Sequence, residues 1–366
     1  MRSNKLDYHQ SVDYELSDPI KILAQAEGKA TAKNMPPGFR ELDGTRGESA
    51  YVFDMGSMYG ALVQEGLGTK SLVAQDVYKT TGNSFFANIA QDTVATIIND
   101  LISVGATPVV LNAYWSSSSY AWLADTKLAN DFIKGWRRAC DKAKVAWGGG
   151  ETQSLPGVIK KGALEFAGSG FGVIKPKTNI VQDKNLRAGD VVLLLESGGV
   201  HANGISLIRE IATKLDDGYQ TKLSGRLTFG EAVLSPTILY AEVLQQFAQH
   251  KLDIHYLSNI TGHGWRKLMR GTPDFTYVIE QIPSPQPVFR LIQHHSGNSL
   301  REMYANYNMG AGYAVYLPDK DAVKAQEIAK NLKIKSWIAG YVKKGSKKVV
   351  IEPLDLTFSE DTLKMR

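Results

Sequence analysis

At 366 residues, with 43% hydrophobic residues, 22% charged residues and 34 glycines, the chain has ordinary globular usage and a length that favours two domains over one. Its formal net charge of +5 is spread along the sequence, apart from a local cluster at Lys343, Lys344, Lys347 and Lys348, so nucleic acid is not an expected partner. No run of about 18 apolar residues occurs, which argues against a membrane span; the first seven residues have no apolar signal core, and the single cysteine, Cys140, allows no internal disulfide, so a cytoplasmic chain is expected.

After a polar leader, residues 50–53 alternate and predict a strand, and residues 57–64 predict a second, ending at a turn with Gly66 and Gly68 that a helix should follow. From Asp92 to Val104 the apolar Val94, Ile97, Ile98, Leu101 and Ile102 recur at helical spacing, and Pro108 marks the far side. Residues 109–111 predict a strand, 116–119 a polar loop, 128–144 a helix, and 145–150 a strand running into a glycine turn. Residues 166–174 read as the closing strand of a first domain, glycine-rich where another backbone could approach. Residues 175–178 are the expected linker. Beyond it, strands are predicted at 191–195, 275–279, 313–316, 337–341 and 349–351, with helices from Ile205, over 236–249, from Val288, and over 322–332. The fold class is α+β: two mixed α/β domains, 50–174 and 175–366, behind a leader 1–49.

Five short polar signals interrupt this pattern. In Glu65-Gly-Leu-Gly-Thr-Lys70 the glycines let backbone N–H groups approach phosphate oxygens, Thr69 and Lys70 add donors and charge, and Glu65 offers a carboxylate to Mg2+. A plain glycine turn fits the same residues, and the spacing is not that of a Walker loop. Asp92, Thr96, Asn99 and Ser103 share one helix face, with Asp100 beside it; their short polar groups suit a hard cation or ribose hydroxyls, and a solvated face is the other reading. Glu151 follows three glycines at a strand end, where open sheets place ligand groups, or else caps the next segment. His201 and Asn203 lie between a strand and a helix start, a setting that attracts an anion. Thr261, His263 and Gly264 form another glycine turn, His255 reads as a core residue, and His294-His295 as a solvated helix end.

The order of these motifs resembles the aminoimidazole ribonucleotide synthetase family, also called phosphoribosylformylglycinamidine cyclo-ligase. Gly66-Leu-Gly-Thr-Lys70 is similar to its D-G-V-G-T-K loop, Asn99-Asp100-Leu101 with Gly105, Ala106 and Pro108 to V-N-D-L…G-A-x-P, and Gly149-Gly-Glu-Thr152 to G-G-E-T. Residues 197–207 are similar to S-S-G-x-H-S-N-G-Y-S-L, Pro236, Thr237 and Tyr240 to P-T-x-x-Y, and Glu302-Met-Tyr304 with Asn308, Gly310 and Gly312 to E-M-Y-x-x-F-N-x-G-x-G. The resemblance spans about residues 51–352. It implies an ATP-dependent, Mg2+-requiring ligase of de novo purine synthesis acting on a small ribonucleotide, and a homodimer whose amino-terminal sheets pair.

Carried over residue by residue, the resemblance gives ATP to Gly66, Gly68, Thr69, Lys70, Asp92, Asn99, Asp100 and Glu151. It gives Mg2+ to Glu65, Asp92, Asp100 and Glu151, the ribonucleotide to Gly199, His201, Asn203, Gly204, Ser206, Thr261 and Gly262, and catalytic roles to Lys70, Asp100 and His201. The chain departs from the family pattern at Glu65 and Glu165, each standing for Asp, at Asn112-Ala113 where an Asp is expected, at Asn259 for His, and at His263 within a glycine triplet. Two alternatives stay open at this point: a kinase-like paralogue of the same ATP-binding superfamily, and a non-catalytic nucleotide-binding protein. If Lys70 holds phosphate, Lys70→Ala is expected to cut turnover heavily with the fold intact.

Overall fold

The computed structural model describes residues 14–363, so the start of the leader lies outside the described residues. The rest of the leader contains a helix, α1 (Tyr14–Ala30), and a short strand, β1 (Arg40–Glu41), that pairs with the edge of the first sheet.

That sheet has the order β1-β2-β3-β6-β4-β5, with β2 (Tyr51–Asp54), β3 (Tyr59–Gly66), β4 (Thr107–Ser117), β5 (Ala146–Ser154) and β6 (Leu164–Ile174). Only the β4–β5 pair is parallel; the other pairs are antiparallel. Helices α2 (Lys70–Thr81), α3 (Phe86–Leu101), α4 (Ala121–Ala124) and α5 (Thr126–Ala143) complete this half. The alternation of β2 and β3 buries Val52, Ala61 and Val63 beneath α3, whose Ile89, Val94, Ile97 and Leu101 are fully buried. Trp115, Phe132, Trp136 and Phe166 fill the gap between sheet and α5, the Phe132 and Phe166 rings stacking at 4.2 Å.

The closing strand expected at residues 166–174 is β6, and it is central, lying between β3 and β4. Its glycines meet both neighbours: a Cβ on Gly170 would stand 2.7 Å from Ile97 Cγ2 of α3, and one on Gly168 would stand 2.4 Å from the carbonyl oxygen of Asn112 on β4. Three other expectations need correction. The polar loop at 116–119 begins only after Ser117, because Ser116 and Ser117 pair with both neighbouring strands. Gly149 and Gly150 form no turn but continue β5, and a Cβ on Gly150 would stand 2.0 Å from the carbonyl oxygen of Ala113. Residues 236–240 have no regular secondary structure, and the helix expected there starts at Ala241.

The second half is built on a seven-stranded sheet of order β10-β12-β7-β13-β11-β14-β15. Its strands are β7 (Val191–Glu196), β10 (Tyr256–Asn259), β11 (Phe275–Ile279), β12 (Ala311–Leu317), β13 (Ser336–Lys344), β14 (Lys348–Ile351) and β15 (Leu356–Ser359); a separate small hairpin joins β8 (Lys222–Ser224) and β9 (Leu227–Thr228). The run Val191 to Leu195 is buried throughout because β7 is paired on both edges and covered on both faces. Helices α6 (Ile205–Lys214), α7 (Phe229–Val233), α8 (Ala241–Gln249), α9 (Pro287–Ser296), α10 (Leu300–Asn306) and α11 (Asp319–Asn331) surround it. Among the described residues no helix is long and apolar enough to cross a membrane.

Candidate functional site

The polar face of α3 is buried at Asp92 and Asn99 and half-buried at Asn88, Gln91 and Thr96, and most of it is used to join the two halves. Asn88 Nδ2, Gln91 Nε2 and Asn99 Nδ2 donate to the carbonyls of Leu234, Thr237 and Ile238 at 2.8–2.9 Å, and Tyr240 N donates to Asn99 Oδ1 at 3.1 Å. Asp92 Oδ1 accepts from both the backbone N and the hydroxyl of Thr237, at 2.7 and 2.6 Å. A segment without regular structure leaves backbone groups unpaired, and the side chains of α3 satisfy five of them between Leu234 and Tyr240.

Lys70 belongs to the same seam. Its ammonium is fully buried, 2.7 Å from Asp92 Oδ2, and donates to Ser235 O at 3.1 Å. Burial pushes the Lys70 amine down and the Asp92 carboxyl up, and each partner opposes the shift of the other. The segment expected to cradle phosphate therefore divides. Glu65 and Gly66 face a cleft, whereas Gly68, Thr69 and Lys70 do not line it. Asp92 also lies outside the lining.

The cleft between the two sheets holds a cavity of about 330 Å³. The first half supplies Glu65, Thr96, Asn99 and Asp100; the second supplies His201, Asn203, Asn259, Thr261, Gly262, Lys267 and Arg270. Burial, then the neighbouring Asp100, pushes the Glu65 carboxyl up to about 7. Asn259 Nδ2 donates to Asp100 Oδ1 at 2.7 Å, fixing that carboxylate toward the cleft. His201 has a left-handed backbone, φ 56°, and its Nε2 accepts from Gly198 N at 3.0 Å. The proton is therefore on Nδ1, which is buried without a hydrogen-bond partner. Burial, with a smaller contribution from Lys70, pushes His201 down to about 3, so the ring is neutral. Asn203 Nδ2 donates to Asn306 O, and Gly199 O accepts from Asn308 Nδ2 at 2.8 Å. Gly199, Gly204 and Ser206 shape the loop and the start of α6 without lining the cavity.

Sequence reasoning missed Lys267, Arg270, Glu48 and Ser49. A 3-10 helix, Gly264–Met269, follows the glycine turn, and its three-residue period sends Lys267 and Arg270 to the same side. That spacing was the available signal. Lys267 Nζ donates to Thr261 Oγ1, and burial, then Arg270, pushes its amine down to about 8. Arg270 is taken up by the end of the leader: Nη1 donates to Ser49 Oγ and Nη2 to Gly47 O, both at 2.7 Å, with Glu48 at 3.5 Å from Nε.

The four carboxylates expected to share a metal are not brought together. Glu65 and Asp100 are neighbours in the cleft, Asp92 is held by Lys70 and Thr237, and Glu151 is exposed on β5. Among the described residues no group of three or more His, Cys, Asp or Glu could hold a metal ion.

Residues 47–174 match the family described as AIR synthase related protein, N-terminal domain, and residues 187–352 match its C-terminal domain. The phosphoribosylformylglycinamidine cyclo-ligase of Methanothermobacter thermautotrophicus is 34% identical over 276 residues, covering 75% of this chain and 78% of its own. The chain belongs to the AIR synthase family. A second family member, the cyclo-ligase of Methanococcus maripaludis, is 34% identical over 301 residues, 81% of each chain. The fold is shared more widely than this family. A HypE–HypF complex superposes with a TM-score of 0.60 at 19% identity, covering 85% of this chain and 92% of that one. AaThiL complexed with AMPPCP and TMP superposes at 0.58 and 14% identity, covering 93% of each.

Proposed function

We propose that this chain closes the imidazole ring of aminoimidazole ribonucleotide, consuming formylglycinamidine ribonucleotide and ATP and releasing ADP and phosphate, in de novo purine biosynthesis. The observation that carries this reading is the cleft itself: both halves of an AIR synthase chain converge on one cavity, the first contributing two carboxylates and the second buried cationic and neutral donors.

In this reaction the formyl amide oxygen takes the γ-phosphoryl group and ADP leaves; an amidine nitrogen then attacks the activated carbon, and the oxygen departs with the phosphate. Such chemistry needs positioning and charge neutralisation more than a nucleophilic side chain. His201 Nδ1–H is a neutral donor, free to bind a substrate oxygen. Asn259 holds Asp100 in one orientation for the substrate. Mg2+ fits Glu65 and Asp100, whose mutual repulsion a divalent cation would relieve, since this ion commonly takes one or two carboxylates with phosphate and water completing its shell. Bound there, it would neutralise phosphate charge.

The reading extends to a homodimer joined through the open face of the first sheet. Leu62 is 46% exposed on that face, and Phe53 and Phe171 pack side by side there with ring centroids 6.5 Å apart. The cyclo-ligase reading is tested by following ADP and aminoimidazole product from purified protein with Mg-ATP, with and without the ribonucleotide. Substrate-dependent ADP matched one-for-one by product supports it; ATP binding with neither product points to a non-catalytic relative.

A further inference from the structure

Two lysines are buried among the described residues, and they are held in opposite ways. Lys70 has a carboxylate at 2.7 Å. Lys267, 6% exposed, has one hydrogen-bond acceptor, Thr261 Oγ1, and no ion pair with any described carboxylate. Its nearest charges are mixed: Asp100 and Glu65 favour the ammonium at a distance, while Arg270 and Lys21 oppose it. A buried ammonium without a close anion is costly, and such cost is kept where a ligand repays it. Arg270 is not available for that purpose, because both of its terminal nitrogens are bound to residues 47 and 49.

We propose that Lys267 is the ammonium that meets a phosphate oxygen in this cleft, the role the sequence pattern gives to Lys70. Thr261 strengthens the assignment. Its oxygen accepts from Lys267, which leaves its own O–H as a second donor for the same anion. Thr261 and Lys267 line the cavity from the second half and Glu65 from the first, so a phosphate in it would meet Lys267 and leave the carboxylates to a cation. The anion is a phosphate monoester or a transferring phosphoryl group; either the ribonucleotide or ATP brings one.

This inference rests on the ATP-dependent reading, and its test separates the two. Lys267→Met and Lys267→Arg are compared with wild type in calorimetric titrations with formylglycinamidine ribonucleotide and, separately, with a non-hydrolysable ATP analogue, alongside melting temperature and turnover. Loss of a charge-assisted contact predicts that Lys267→Met weakens one of the two ligands by about ten- to a hundredfold, and which one identifies the anion. Its melting temperature should stay level or rise, because an unpaired buried charge is gone, and Lys267→Arg should recover part of the affinity. Binding of both ligands within about twofold of wild type overturns the proposal. So does a loss of affinity that comes with a lower melting temperature and no recovery in Lys267→Arg, which is how a purely structural lysine behaves. If wild type binds either ligand yet makes no product, the cyclo-ligase reading fails and Lys267 is still judged on binding; if wild type binds neither, both fail.

Discussion

Lys70 shows how far residue type can be read without geometry. A lysine after a glycine turn carries the same letters whether it faces a ligand or a neighbouring helix, and here it faces Asp92. The prediction for Lys70→Ala changes accordingly. Removing one partner of a buried pair leaves an uncompensated charge, so about 3–5 kcal/mol of stability should be lost, read by chemical denaturation. An unchanged denaturation midpoint would contradict the pairing. His201 and His263 give a pH dependence. Both are pushed down to about 3, chiefly by burial, against about 6.5 in an unfolded chain, so below pH 6.5 the unfolded state binds more protons. Stability is complete above that point and falls with acid, by up to about 2 kcal/mol per histidine at pH 5. Melting temperatures from pH 7.5 to 5 check it: His201→Asn should flatten the decline, and an equally steep decline would contradict the assignment.

At the scale of elements, α3 was the most legible and the most misleading. Its apolar period fixed the buried stripe correctly, and the run of Asp, Thr, Asn and Ser was rightly singled out as unlike a solvated face. A sequence window cannot show that the irregular segment 234–240 lies against it, because that contact joins positions about 140 apart. Asn99 is the strongest case, accepting from Tyr240 N and donating to Ile238 O. Asn99→Leu leaves both backbone groups buried and unsatisfied, and a loss of roughly 2–4 kcal/mol should follow in denaturation experiments. A loss near zero would mean that the seam does not hold the halves together. The glycines of β6 were read as marking a close backbone approach, and the approach is real: β4 carbonyls of Asn112 and Thr107 meet Gly168 and Gly172, while α3 presses on Gly170.

Across the whole molecule, the two mixed α/β halves and the family could be read from motif order, whereas the cleft between them could not. Glu65, His201 and Thr261 come together only when two sheets face each other, and Lys267 and Arg270 enter through a 3-10 turn that carries no familiar motif. The open face of the first sheet belongs to this scale too. Leu62→Arg places a charge at its centre and should convert a dimer to monomers in sedimentation, while a wild type that sediments as a monomer would remove the proposed pairing. The central claim is that ATP activates the formyl oxygen of the ribonucleotide within this cleft. The most direct measurement uses substrate labelled with oxygen-18 at that position and follows the label by mass spectrometry. The account predicts that each turnover releases ADP and one phosphate carrying the label; unlabelled phosphate, or ring closure without ADP, would contradict it.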